Sequence, residues 1–95
     1  MGEIVDVHAL RRRVLGELVS GKTFVEIGGL WGTVNEMVSV ALKAGSREAT
    51  MIDVMPRDSK WWTLFEERCA EFGVADYHCV VGNICEDGLA AILLL

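Results

Sequence analysis

The stretch Val25-Glu26-Ile27-Gly28-Gly29-Leu30-Trp31-Gly32 decides how this chain folds. It joins a branched, apolar run to a cluster of glycines, which is typical of a strand that ends in a tight turn. Because the apolar run starts two residues earlier, we predict the first strand over Thr23–Ile27. After the glycines, Thr33 and Glu36 spell a T-x-x-E capping box, which predicts the start of a helix. Strand, glycine turn and helix in this order form the beginning of a βα unit.

The rest of the chain alternates between helical and strand periodicity in the same way. Helices are predicted where apolar side chains recur every three or four residues, and strands where branched and aromatic residues form short runs. The predicted helices are Val5–Val19, the segment from Thr33 to just before Gly45, and Ser59–Phe72, and the predicted strands are Thr23–Ile27, Glu48–Val54, Tyr77–Val81 and Ala91–Leu95. This alternation predicts the α/β class, with a parallel sheet built by right-handed crossovers and flanked by helices.

One face of the third predicted helix carries bulky side chains. Four bulky side chains recur at intervals of three, four and three residues, namely Trp62, Phe65, Cys69 and Phe72, so we expect them to lie along one face and to pack on the sheet. Adjacent residues of a helix are about 100° apart around its axis. Trp61 is therefore predicted at the flank of the helix, next to the buried face.

Length and charge limit the classes of protein to which the chain can belong. Its 95 residues predict a single domain, with an N-terminal helix in residues 1–20 and an α/β core in residues 21–95. The net charge is −5, made of +1 in residues 1–47 and −6 in residues 48–95, and an acidic chain repels polyphosphate. No apolar run approaches the roughly 20 residues that cross a bilayer. We therefore expect neither nucleic acid nor a membrane as a partner, and a cytoplasmic location.

Cysteines and histidines indicate neither a disulfide framework nor a metal site. Cys69, Cys79 and Cys85 include no C-x-x-C pair, and His8 and His78 have no third ligand at a recognisable spacing. We expect reduced cysteines that act mainly as small apolar side chains.

A second glycine motif, Gly16-Glu17-Leu18-Val19-Ser20-Gly21-Lys22-Thr23, spells the G-x-x-x-x-G-K-T pattern of a phosphate-binding loop. That loop works only with a strand before it and a helix after it, because the backbone amides and the helix N-terminus must both face the phosphates. Here a predicted helix precedes the motif and a predicted strand follows it. Its amides are thus expected to form helix and sheet bonds, and we predict no nucleoside triphosphate site.

Three markers follow one another along the chain, namely the run Val25–Gly32, Asp53 at the end of the second predicted strand and Gly82-Asn83-Ile84 after the third. In this order they resemble the class I, Rossmann-like S-adenosylmethionine-dependent methyltransferases. The run from Val25 to Gly32 resembles the family's first motif, an acid followed by x-G-x-x-x-G. Asp53, at the end of the second predicted strand, is similar to the acid that holds the ribose hydroxyls. Gly82-Asn83-Ile84, after the third predicted strand, resembles the motif whose polar side chain meets the adenine amino group.

The resemblance implies S-adenosylmethionine as cofactor and methyl transfer to an unidentified acceptor. It implies that Glu26 attracts the methionine amino group, that Asp53 accepts from the ribose hydroxyls and that Met55 covers the adenine. Carboxylates suit a ligand that carries an amino group, a diol and a cationic sulfur. The implied cofactor-binding residues are Glu26, Gly28, Gly29, Gly32, Asp53, Met55 and Asn83.

Other interpretations stay open for these side chains and for the whole chain. Asp53 can cap a strand end, Glu26 can be a buried structural acid, and Asn83 can form a turn. The chain can also be a non-catalytic α/β interaction module, or a fragment of an NAD(P)-dependent oxidoreductase that uses Asp53 on the ribose. Against the last, the glycine stretch does not spell G-x-G-x-x-G, because Leu30 stands at the second glycine position.

The chain is also shorter than the usual members of the family that it resembles. The resemblance therefore implies a partial Rossmann-like sheet, truncated before the acceptor-binding half, with the strand order 3-2-1-4. In that order the strand Ala91–Leu95 forms an apolar sheet edge, through which we expect self-association.

Overall fold

Three helices and a three-stranded parallel sheet alternate along the part of the chain that the structure describes. The structure is a computed structural model, and it describes residues 6–31, 36–83 and 85. In chain order the elements are α1 (Val7–Leu18), β1 (Thr23–Ile27), α2 (Val38–Lys43), β2 (Glu48–Asp53), α3 (Lys60–Glu71) and β3 (Tyr77–Val81). The predicted α/β class is confirmed. Among these described helices, none combines the length and the apolar character that crossing a bilayer requires.

β2 is the central strand of this sheet and pairs in parallel with β1 on one side and β3 on the other. The register places Ile52 between Ile27 and Val80. Because successive side chains of a strand point to opposite faces, this row lies on the face opposite to Met51. The predicted fourth strand, Ala91–Leu95, and with it the order 3-2-1-4, lies outside the described residues.

The core lies between the helices and one face of the sheet. Trp62, Phe65 and Cys69 of α3 are fully buried, as their spacing predicted, and Trp61 is half-buried at the flank. Phe72, the fourth residue of the predicted face, is only half-buried, because it caps the end of α3 and its ring lies against the guanidinium of Arg68. The rings of Phe65 and Tyr77 meet edge to face, with centroids 5.4 Å apart. The buried core cluster consists of Leu30, Val38, Leu42, Ala49, Met51, Trp62, Phe65 and Cys69. α3 is therefore fixed to the sheet by aromatic packing.

Side-chain caps set the beginnings of two helices. The carboxylate of Asp6 accepts from the N–H groups of His8 and Ala9, so α1 begins one residue after Asp6. The hydroxyl of Ser59 accepts from the N–H of Trp61, and α3 begins one residue after Ser59. The predicted start of the first helix, Val5, lies outside the described residues.

α2 begins later than the capping box predicted, and that prediction was wrong. Glu36, the acid of the box, precedes the helix, which starts at Val38. Its buried carboxylate accepts from the N–H of Ser39 at 3.0 Å and pairs with Nε of Arg68, on α3, at 2.9 Å. A tertiary ion pair thus uses the side chain that the local pattern assigned to a helix cap. Thr33, the first residue of the box, lies outside the described residues.

The amides of the G-x-x-x-x-G-K-T string take part in secondary structure and turns, as its position predicted. Its first residues belong to α1, and Thr23 begins β1. The N–H of Gly21 donates to the carbonyl of Gly45 at 2.8 Å, and the N–H of Lys22 donates to the carbonyl of Val19 at 2.9 Å. These bonds occupy donors that a phosphate cradle would have to offer to its ligand.

Candidate functional site

The carboxyl edge of the sheet brings together the regions that the sequence analysis selected. The N–H of Gly28 donates to the carbonyl of Ile52 at 2.7 Å, and the N–H of Gly82 donates to the carbonyl of Asp53 at 3.0 Å. These bonds extend the sheet ladders past the ends of β1 and β3. The glycine turn after β1 and the turn after β3 therefore lie on either side of the end of β2. Open α/β sheets bind their ligands at this edge.

Asp53 connects two loops at the carboxyl edge. Its Oδ2 accepts from the N–H of Leu30 at 3.1 Å, and its Oδ1 accepts from the N–H of Met55 at 3.0 Å. The residue is only 7% exposed. Asp53 is therefore a cap of the strand end, which was one of its two interpretations. A ribose would have to bind at the lone pairs that the two amides leave free, since each carboxylate oxygen can accept more than one bond.

Glu26 lies beneath the glycine turn. Its Oε1 accepts from the N–H of Met37 at 2.6 Å, so the side chain links the end of β1 to the residue before α2. Burial raises the pKa of Glu26 above its ordinary value, against the lowering effect of the Met37 bond, and the nearby charge of Glu36 raises the pKa further. Glu26 is half-buried and has the surroundings of a structural acid.

The two glycines of the described turn are needed for different reasons. Gly28 has a φ of +76°, in the left-handed region that favours glycine. A Cβ at Gly28 would meet no atom within 4 Å, so the space beside its Cα is open. A Cβ at Gly29, by contrast, would collide with the carboxylate of Glu26. Gly32, the third glycine that the resemblance implies, lies outside the described residues.

Asn83 and Met55 also have local structural partners. Oδ1 of Asn83 accepts from the N–H of Cys85 at 2.9 Å, which is the geometry of a turn-forming asparagine. Met55 is half-buried against the core cluster, and its carbonyl accepts from Nε1 of Trp62 at 2.9 Å. Ile84, the third residue of the Gly82-Asn83-Ile84 motif, lies outside the described residues.

An aromatic pair that no sequence pattern singled out flanks the edge, formed by the exposed Trp31 and the half-buried Trp61. Trp31 follows Leu30 directly and is 72% exposed. Its ring lies 5.1 Å from that of Trp61, at an angle of 49°, and Nζ of Lys60 lies 4.9 Å from the Trp61 ring. The sequence signal that could have identified this pair is Trp31 itself, a large aromatic residue inside a glycine-rich turn. The pair offers an apolar surface beside the turn, on which a planar group can stack.

Two surface grooves lie away from this edge. One, of about 440 Å³, is lined mainly by apolar residues of α1 and by Phe24 of β1. The other, of about 430 Å³, is lined by three cationic residues among others, Arg12, Lys43 and Arg68. Neither groove is lined by Asp53 or by the glycines of the turn. A ligand of the candidate site would therefore lie against the sheet edge and its flanking aromatic pair.

Comparisons with known proteins leave the function to be argued from this geometry. No protein-family model matches the chain, and no curated protein matches it. The residues at the carboxyl edge therefore carry the information on function.

Proposed function

We propose that the chain is the cofactor-binding portion of an S-adenosylmethionine-dependent methyltransferase, with the cofactor at the carboxyl edge of the sheet. The observation that carries this proposal is the hydrogen bond between Leu30 and Asp53, which holds the glycine turn against the end of β2. A bare backbone turn beside an acid of the adjacent strand is the arrangement that open α/β sheets use for ribose-containing ligands.

The described residues offer partners for the ribose, the adenine and the cationic end of this cofactor. The open space at Gly28 admits a ligand close to the backbone, and the free lone pairs of Asp53 can accept from ribose hydroxyls. Oδ1 of Asn83 already accepts from the N–H of Cys85, so the implied bond from the adenine amino group would use the second lone pair of that oxygen. Glu26 accepts from Met37 and lies beneath the turn, where its charge favours the cationic end of the ligand.

The chemistry of such a protein comes mainly from the cofactor, which supplies a methyl group activated on a sulfonium. The residues of this chain would bind and orient the cofactor, and orientation is itself a large part of catalysis in a direct displacement. Methyl transfer by this chain to an acceptor is part of the proposal.

Calorimetric titration with S-adenosylmethionine, its demethylated product S-adenosylhomocysteine and NAD tests this proposal. We expect the first two ligands to bind and NAD not to bind. Binding of NAD alone would favour the oxidoreductase interpretation instead.

A matched pair of glycine variants makes the test specific to the edge. Gly21 and Gly28 both have positive φ, of +74° and +76°, and a Cβ at either meets nothing within 4 Å. Gly21 precedes β1, however, and Gly28 follows it. Gly28→Val should abolish binding, whereas Gly21→Val should cause similar backbone strain and leave the affinity unchanged. Equal affinities of the two variants would exclude the turn as the ligand site.

A non-catalytic interaction module is the second candidate, and a specific observation favours it. Asp53, Glu26 and Asn83 each accept hydrogen bonds from backbone N–H groups, so all three side chains have a structural role. Under this candidate the folded protein binds none of the three ligands in the titration.

A further inference from the structure

Three cationic side chains line one surface groove, although the chain as a whole is acidic. The groove has a volume of about 430 Å³ and contains Arg12 of α1, Lys43 of α2 and Arg68 of α3. Its other lining residues are apolar, namely Val40, Ala44 and Phe72. Within the described part of the chain no carboxylate lines this groove, whereas the net charge of the whole sequence is −5. We call it the cationic groove.

The cationic groove is framed by helices that pack on one another. A Cβ at Gly16 of α1 would lie 3.9 Å from the Cβ of Ala44, which caps the end of α2. Ser39 of α2 lies 3.3 Å, through its Oγ, from Nε of Arg68 on α3. α2 therefore contacts both of the other helices. The lining cations come from three positioned elements, so the groove does not depend on the ordering of a loop.

Arg68 is held in place by the protein itself. Its Nε lies 2.9 Å from Oε1 of the buried Glu36, and its guanidinium carbon lies 5.2 Å from the centre of the Phe72 ring. No residue in the described ranges accepts a hydrogen bond from its two Nη groups, and 22% of the side chain is exposed. A guanidinium donates through a planar fork that matches the oxygens of a phosphate. Arg68 therefore offers a preoriented donor group to the groove.

The positive charge of the groove exceeds the negative charge beside it. Glu36 offsets Arg68, but Arg12 and Lys43 form no ion pair with a residue that the structure describes. Three cations and one carboxylate leave a net charge of +2. A phosphomonoester carries about −1.5 to −2 at pH 7, and salt screens the more distant acids over about 10 Å. The charges of such a ligand and of the groove therefore match.

The ends of two helices offer a competing explanation for two of the cations. Lys43 and Arg68 lie in the last turns of α2 and α3, where a cation offsets the partial negative charge of the helix end. Arg12, however, lies in the middle of α1 and is half-buried. Helix ends therefore do not account for the third cation.

We propose that the cationic groove binds a small phosphomonoester, with the phosphate among Arg12, Lys43 and Arg68 and the apolar part of the molecule against Phe72. The volume of the groove lies within the range of about 300–1,000 Å³ that is usual for small-molecule sites. Neither Asp53 nor the glycines of the turn line it. This site is therefore separate from the carboxyl edge and does not depend on the proposed cofactor.

Titration of the unmodified chain with phenyl phosphate, followed by the amide signals of a ¹⁵N-labelled sample, tests this proposal. We expect saturable shifts at the lining residues of α2 and α3. Inorganic phosphate lacks the ring and benzenesulfonate lacks the second charge, so each should bind about tenfold more weakly. Without saturable shifts from phenyl phosphate the cations serve only the fold, and the proposal is overturned. Equal affinity for either comparison compound would overturn it as well.

A matched pair of variants separates the groove from the net charge. Arg12→Gln with Lys43→Gln removes two lining cations, keeps the buried pair of Arg68, and should weaken phenyl phosphate binding by about tenfold or more. Arg13→Gln with Lys22→Gln removes the same charges at exposed positions outside the groove and should change the affinity by less than about twofold. Equal affinities of the two variants would overturn the proposal. Where the first variant does not fold, the ligand series in the unmodified chain decides.

Discussion

The backbone N–H of Leu30 donates a hydrogen bond to Oδ2 of Asp53 at 3.1 Å, between residues that are 23 positions apart in the chain. Leu30 is fully buried, so this bond fixes the place where the glycine turn enters the core. The other carboxylate oxygen holds the N–H of Met55 in the same way. One buried acid therefore aligns the loops after β1 and β2.

Replacing Asp53 by alanine should lower the free energy of unfolding by about 1–3 kcal/mol, because buried amide donors lose their acceptor. Urea unfolding measures this loss, with Asp58→Ala at an exposed position as the control. Asp53→Ala should also weaken the binding of S-adenosylmethionine by about 1–3 kcal/mol, because the ribose hydroxyls lose a charged acceptor. Unchanged cofactor affinity would remove Asp53 from the ligand site, and equal unfolding curves for the two variants would contradict its structural role.

Gly29→Ala should destabilise the protein by about 1–3 kcal/mol, because the added methyl group displaces the Glu26 carboxylate from its hydrogen bond with the N–H of Met37. The same substitution should cost much less in a Glu26→Ala background, where the carboxylate is missing. Unfolding of the four proteins of this double-mutant cycle measures the coupling between the two positions. Gly16→Ala is the control, since its Cβ would meet only the Ala44 side chain, at 3.9 Å. Additive effects at positions 26 and 29 would refute the predicted collision.

Stability should fall as the pH rises above the ordinary glutamate value. Burial raises the pKa of Glu26 above 4.5, so between that value and the raised pKa the folded state binds more protons than the unfolded chain. In this window the free energy of unfolding decreases with rising pH. Glu26→Gln keeps a side-chain oxygen to accept from Met37 and removes the titration. Urea midpoints at a series of pH values should thus decline less steeply for Glu26→Gln than for the unmodified chain, and parallel curves would contradict the assignment.

Arg68→Met should destabilise the protein by about 3–5 kcal/mol, because it leaves the carboxylate of Glu36 buried without its cation. Adding Glu36→Gln to this variant should recover part of the loss. Arg57→Met is the matched control, since Arg57 pairs with Glu66 in an exposed position, and it should cost at most about 1 kcal/mol. Thermal unfolding of the variants measures their losses of stability. Similar losses for Arg68→Met and Arg57→Met would show that the buried pair of Arg68 with Glu36 stabilises the protein no more than an exposed pair.

Thiol reactivity should separate the three cysteines of the folded chain. Cys85 is exposed, whereas burial raises the pKa of the Cys69 thiol to about 12 and also raises the pKa of Cys79. A thiol reagent at neutral pH should therefore modify Cys85 first, Cys79 slowly, and Cys69 only on unfolding. Mass spectrometry of a time course identifies the order, and early modification of Cys69 would contradict its burial.

Local sequence patterns predicted most of the fold. Hydrophobic period and flanking glycines predicted β1 and β3 with their observed bounds, and the predicted β2 was one residue too long, since Asp53 ends the strand by bonding to loop amides. The start of α2 was missed because Glu36 pairs with Arg68, a partner that no local pattern encodes.

The candidate site was less predictable than the fold. Sequence markers identified residues that lie at one edge of the sheet and left open whether those side chains bind a ligand or cap the backbone, but they did not indicate which backbone amides the side chains would reach. Such bonds depend on how loops from distant parts of the chain meet, which periodicity does not encode.

Two of the three tryptophans differ widely in exposure, which gives the protein two optical reporters that require no label. Trp62 is fully buried in the core, while Trp31 is 72% exposed beside the glycine turn. Emission from the buried indole of Trp62 reports unfolding, and quenching of the exposed indole of Trp31 reports a molecule that binds at the turn. A single fluorescence cell can therefore record folding and ligand capture as separate signals from the same unmodified chain.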